Sequence, residues 1–145
     1  RIVPQAVPLT SFSILFARYK GFLRAAVQGI EALRTLPEGA KILVCEGCTH
    51  HRQCDDIGTV KLPRWIQETL GRQFVFAFTS GREFPEDLAP YDFVLHCGAC
   101  MLGEKALQGR SAIAAAQGVP FTNYGVAIAW LQGILARCLL DGRLL

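Results

Sequence analysis

Two nucleotide-binding fingerprints are missing from this chain of 145 residues. Gly103-Glu104-Lys105 lacks the leading glycine and the rest of the backbone cradle of a GxxxxGK(S/T) phosphate loop, and no GxGxxG dinucleotide turn is present. Charge is also scarce. Charged residues make up 19%, the net charge is +3, and the basic residues are scattered, which gives no footing for nucleic acid. The longest apolar stretch, Val126 to Leu140, is broken by Gln132, Gly133 and Arg137. It falls short of the roughly 20 residues a membrane span needs, so no membrane partner is expected. No secretory signal, internal repeat or low-complexity segment is visible, and the expected compartment is the cytoplasm. The first residue is Arg, so the chain is expected to be a piece of something longer.

What is present is a core. Hydrophobic residues make up 51%, enough for one folded domain and too many for disorder. There are six cysteines: Cys45, Cys48, Cys54, Cys97, Cys100 and Cys138. A core of this size needs no disulfide staples, and paired cysteine loops with neighbouring histidines favour metal over a secreted, cross-linked domain.

Four of the six cysteines fall in two loops, Cys45-Glu-Gly-Cys48-Thr-His50-His51 and His96-Cys97-Gly-Ala-Cys100, with 45 residues between His50 and His96. Each follows a short apolar run, Lys41 to Val44 and Tyr91 to Leu95, too short for a helix and rich in strand formers. In a parallel sheet the carboxyl ends of all strands share one edge, where ligands collect. Distant thiols and imidazoles therefore meet at one rim.

The rest of the chain fits that sheet. Residues 1–12, with Pro4 and Pro8, read as an extended segment, and the domain proper as 13–145. A helix begins near Ser11 or Ser13, buries Leu15, Tyr19, Phe22, Leu23, Ala26, Val27, Ile30 and Leu33, and stops by Leu36 before Pro37. Pro63 opens a helix through Leu70 that ends at Gly71, and Gln73 to Phe78 is a strand. Gly103 to Gln117 is helical with Leu107, Ile113, Ala114 and Ala116 inward and Gly118 as its stop. Val119 to Thr122 is a fourth strand, Asn123-Tyr124-Gly125 lies at the cysteine rim, and Val126 to Leu140 forms the last helix. Strands alternating with helices predict an α/β fold: a small parallel sheet of about four strands, helices on both faces, and a cluster site at the strands' carboxyl ends.

Spacing alone leaves three chemistries open. Structural zinc needs four closed ligands, which Cys45, Cys48, Cys97 and Cys100 could supply. A thiol–disulfide enzyme would use Cys97 and Cys100, one CxxC at a helix start, leaving the first loop unexplained. An iron–sulfur cluster needs soft thiolates, commonly four, with an occasional departure to nitrogen or oxygen. Cys138 and Cys45 read as core residues. His50 and His96 stand out because each lies within two residues of a thiol at the rim, and Asp55 and Asp56 are loop carboxylates able to reach an open iron.

Cys48-Thr49-His50 followed by His96-Cys97-Gly98-Ala99-Cys100 resembles the CxH…HCxxC signature of the HydF family, scaffold proteins in the maturation of iron–iron hydrogenase. Pro8 to Gly21, Asp55 to Trp65 and Gly118 to Val126 look like the same family, so the resemblance covers nearly the whole chain. It implies that residues 1–12 are the tail of a dimerisation domain and that 13–145 form the iron–sulfur cluster-binding domain. It implies a 4Fe–4S cluster on Cys48, Cys97 and Cys100, with an exchangeable fourth ligand. His50, His96, Asp55 and Asp56 are the candidates for that position or for contacts just behind it. It further implies a transient di-iron precursor carrying CO, cyanide and dithiolate ligands, received with the help of two radical-SAM maturases and delivered to the apo-hydrogenase. The family's GTPase domain is absent from this chain, so no GTP binding and no enzymatic turnover are expected. A mean hydropathy of +0.28 makes self-association, as a dimer or higher, a further expectation.

Overall fold

Apolar runs too short for helices become four strands, and the amphipathic stretches between them become helices. The computed structural model describes residues 23–46, 60–81, 83–97, 104–133 and 135. In chain order the elements are α1 (Leu23–Arg34), β1 (Lys41–Glu46), α2 (Leu62–Leu70), β2 (Val75–Ser80), β3 (Phe93–His96), α3 (Glu104–Ala116), β4 (Phe121–Asn123) and α4 (Tyr124–Leu131). The strands form one parallel sheet in the order β2-β1-β3-β4. The chain therefore moves outward from β1 to β2, returns past β1 to β3, and continues the other way to β4. Right-handed crossovers in opposite directions place α2 and α3 on opposite faces. The α/β expectation holds.

The two central strands carry the core. Ile42, Leu43 and Val44 of β1 and Phe93, Val94 and Leu95 of β3 are fully buried. Both faces of these strands are covered, so they are apolar without alternation. Leu62 and Ile66 of α2, Leu107 and Ala114 of α3, and Val126 and Ala127 of α4 close over them. Gly71 and Gly118, at φ 63° and 69°, end α2 and α3 in the left-handed conformation expected of such glycines.

Several boundaries shift. β1 runs on through Cys45 and Glu46, and β3 ends on His96, because these polar residues continue the backbone ladder while buried. β2 begins two residues later than expected, and the last helix starts at Tyr124 under an Asn123 cap. The described part of α4 ends at Leu131, with Gly133 beyond it at φ 72°. On α3 the inward face is Leu107, Arg110 and Ala114, three and four residues apart, while Ala116 is exposed. Residues 1–12, and the expected start of the first helix, lie outside the described residues.

α1 packs against β4 through a close approach. The Thr122 hydroxyl donates to the Ala26 carbonyl at 2.7 Å, and a Cβ on Gly29 would sit 2.2 Å from the Phe121 carbonyl oxygen. Backbone cannot retreat as a flexible side chain can. Gly29→Ala is therefore expected to destabilise the fold by about 1–3 kcal/mol despite alanine's better helix propensity. Gly109→Ala, with open space around the new methyl, should gain up to about 1 kcal/mol. Urea unfolding of the two variants checks the pair; an unchanged midpoint for Gly29→Ala would contradict the packing.

Candidate metal centre

The order β2-β1-β3-β4 has its topological switch point between β1 and β3, where the connections leave in opposite directions and ligands of such sheets bind. Both cysteine loops leave the sheet there. Cys45 is in register with His96, and the Cys97 N–H donates to the Cys45 carbonyl at 2.8 Å. One strand further out, His96 is in register with Asn123. The ends of β1, β3 and β4 thus present Glu46, His96, Cys97 and Asn123 side by side along one rim, all buried.

His96 is fixed by its partners. Its Nδ1 lies 2.8 Å from the Cys97 carbonyl and its Nε2 lies 2.9 Å from Nη1 of Arg110. A carbonyl only accepts and a guanidinium only donates. The proton therefore sits on Nδ1, and Nε2 accepts from Arg110. Burial is the main cause that lowers the His96 pKa to about 4, with the Arg110 charge acting the same way and the Cys97 carbonyl opposing. The ring is neutral at physiological pH and packs 5.8 Å from the Phe121 ring.

Arg110 reaches the rim from α3. Besides His96 it donates from Nη2 to the Gly81 carbonyl at 3.2 Å, just past β2, and lies 5.2 Å over the Phe84 ring. It is buried, and burial lowers its pKa, while the neighbouring Cys45 and Cys97 pull the other way. Among the described residues its side chain forms no salt bridge with a carboxylate. A buried cation ordinarily needs an anionic partner.

On the other side of the rim, the Tyr124 hydroxyl donates to Glu46 Oε1 at 3.1 Å. Burial, and then the Glu46 charge, push the tyrosine pKa well above its ordinary value. Asn123 Oδ1 accepts from the Val126 N–H at 2.8 Å, which caps α4 and fixes the amide orientation. Its Nδ2 is buried with no hydrogen-bond partner among the described residues.

Of the residues expected at the site, the structure brings His96 and Cys97 together, beside Cys45. Cys48, Cys100, His50, Asp55 and Asp56 lie outside the described residues. Among the described residues no group of three or more His, Cys, Asp or Glu side chains could hold a metal ion. Arg110 was not foreseen at the rim, and Glu46 was expected there only as part of the first cysteine loop, with no role of its own. The only available signal for Arg110 was its place three residues after Leu107 and four before Ala114, on the inward face of α3.

The fold and this rim define a small doubly wound parallel α/β domain with its polar residues gathered at the switch point. A family model described as the hydrogen maturase F tetramerization domain matches residues 24–140. The chain belongs to that family, which ties it to hydrogenase maturation. Among curated proteins none matches it. No helix among the described residues is long and apolar enough to cross a membrane.

Cys45 is fully buried, and burial is the main cause that pushes its thiol pKa up to about 11, more than Thr79 and Arg110 bring it down. At pH 8 it is a protonated, shielded thiol and a poor nucleophile. Alkylation with iodoacetamide, read by peptide mass, should modify Cys45 only after unfolding. Labelling in the native chain at the denatured rate would contradict this placement.

Proposed function

We propose that this domain is a non-catalytic iron–sulfur scaffold of hydrogenase maturation. It binds a 4Fe–4S cluster through Cys48, Cys97 and Cys100, and holds and hands on the di-iron precursor of the hydrogenase active site. The observation that carries the reading is the pairing of β1 with β3. Cys97 follows the end of β3 directly, Cys48 lies two residues beyond the end of β1 in sequence, and the strands are neighbours at the switch point.

The rim suits an anionic metal–thiolate group. Arg110 supplies a buried positive charge that acts on Cys97. Asn123 Nδ2 is a buried donor in want of an acceptor, such as a cluster sulfide. His96 positions the chain: its Nδ1–H holds the Cys97 carbonyl, and its Nε2 holds the guanidinium. Both ring nitrogens are engaged, which favours His96 as a group behind the ligands. The exchangeable fourth position is then left to His50, Asp55 or Asp56. A bound cluster would supply soft iron with one replaceable corner, onto which a cyanide-bearing precursor can bridge.

Two alternatives fit less well. Zinc closed by four cysteines would draw on Cys45, which is fully buried within the β1–β3 ladder. A thiol–disulfide enzyme using Cys97 and Cys100 leaves the first cysteine loop, Cys45 to His51, without a role. The family's description also supports self-association of this domain. The apo-hydrogenase and the radical-SAM maturases are its proposed partners, in the cytoplasm.

Anaerobic reconstitution tests the reading, with iron, zinc and sulfide assays and a visible spectrum. The chain should turn brown with about four irons. Cys48→Ser, Cys97→Ser and Cys100→Ser should each lose the cluster, and Cys45→Ser should keep it. A colourless protein with one zinc, or cluster loss in Cys45→Ser, would refute the ligand set. Arg110→Gln removes a positive charge beside Cys97, so the midpoint potential of the retained cluster should become more negative. An unchanged potential would remove Arg110 from the account.

A further inference from the structure

The two edges of the sheet are not alike. β4 is three residues long and wholly buried, as protected edges usually are. β2 is six residues long, Val-Phe-Ala-Phe-Thr-Ser, with no charge and no proline to discourage pairing. Val75 and Phe78 are 53% and 47% exposed, two of the three large hydrophobic residues exposed among those described.

The backbone shows which groups of β2 face outward. The Val75 N–H donates to the Ala40 carbonyl at 2.9 Å, on the β1 side. Along a strand successive residues turn their backbone groups to opposite sides. Val75, Ala77 and Thr79 therefore serve the ladder with β1, and Phe76, Phe78 and Ser80 turn their amides and carbonyls away from it. Among the described residues no strand pairs with these groups, and they form a hydrogen-bonding edge flanked by aromatic side chains.

We infer that β2 pairs antiparallel with β2 of a second copy of this chain, about a two-fold axis at Ala77, joining two four-stranded sheets into one. The inference rests on the self-association reading above, which names the occupant, and it deepens that reading by placing the contact. A two-fold contact uses the same patch on both copies, and between identical edge strands only the antiparallel arrangement forms a hydrogen-bonded ladder. With the axis at Ala77, Phe76 of each copy lies opposite Phe78 of the other. These pairs exchange backbone hydrogen bonds through the outward-facing groups, and the aromatic rings cover each other. Ala77 faces its own counterpart as a non-hydrogen-bonded pair, where the Cβ atoms come closest.

Sedimentation equilibrium of the 145-residue chain tests this, with circular dichroism to confirm folding. The parent should exceed the 15.9 kDa of one chain. Phe78→Lys, at an exposed position, should fall to the single-chain mass, while Val60→Lys, also exposed but outside β2, should keep the parent mass. Ala77→Cys should form an intermolecular disulfide through residue 77, located by peptide mapping; this decides the matter should Phe78→Lys fail to fold. A parent of single-chain mass would overturn both the edge pairing and self-association. An associated parent whose mass survives Phe78→Lys, or that yields no cross-link through residue 77, would overturn the edge pairing alone. The iron content of the parent stays a separate readout of the cluster reading.

Discussion

Everything at the rim depends on the parallel pairing of β1 with β3. These strands are far apart in sequence, and each leads directly into a cysteine loop. Their ladder is held by the most buried part of the core, Ile42 to Cys45 against Phe93 to His96. The hydrogen bond from Cys97 to the Cys45 carbonyl extends it past the end of β3. Parallel strands need a crossover to meet, so the meeting of the two strand ends is a product of the whole fold and of no local turn.

Beyond the ladder the rim is polar where a core would be apolar. Glu46, His96, Arg110, Thr122 and Asn123 are buried together at or near the strand ends. Each costs free energy unless partnered. The partners are specific: Tyr124 for Glu46, Arg110 and a carbonyl for His96, the Ala26 carbonyl for Thr122. The exceptions are informative. Among the described residues Arg110 forms no salt bridge with a carboxylate, and Asn123 Nδ2 has no hydrogen-bond partner. An unbalanced buried cation and an unused buried donor on one edge are what an anionic occupant would satisfy. Local departures from a well-satisfied core are expected at functional sites.

The central strands were legible because they are buried on both faces and so read as unbroken apolar runs, as at Ile42-Leu43-Val44. Gly71 and Gly118 were legible as helix stops because their positions call for a left-handed backbone. The strand order was not legible, since β1 and β3 pair through the crossover and no residue announces it. Strand ends were misplaced where polar residues continue a ladder: Glu46 and His96 look like loop by composition and are strand by hydrogen bonding, while Cys45 is the core residue its place at the strand end suggests. Arg110 was hidden for a related reason. A charged residue on a helix is ordinarily solvated, and only its spacing from Leu107 and Ala114 marks it as inward. Cysteine spacing by itself does not separate iron from zinc; only the resemblance in several segments implies iron.

Diffraction at the iron absorption edge, from crystals of the anaerobically reconstituted chain, tests the central claim most directly. The account predicts one anomalous site at the carboxyl ends of β1 and β3, with sulfur of Cys48, Cys97 and Cys100 bonded to the same cluster. Iron held by one loop alone, with Cys48 on another metal or none, would contradict it.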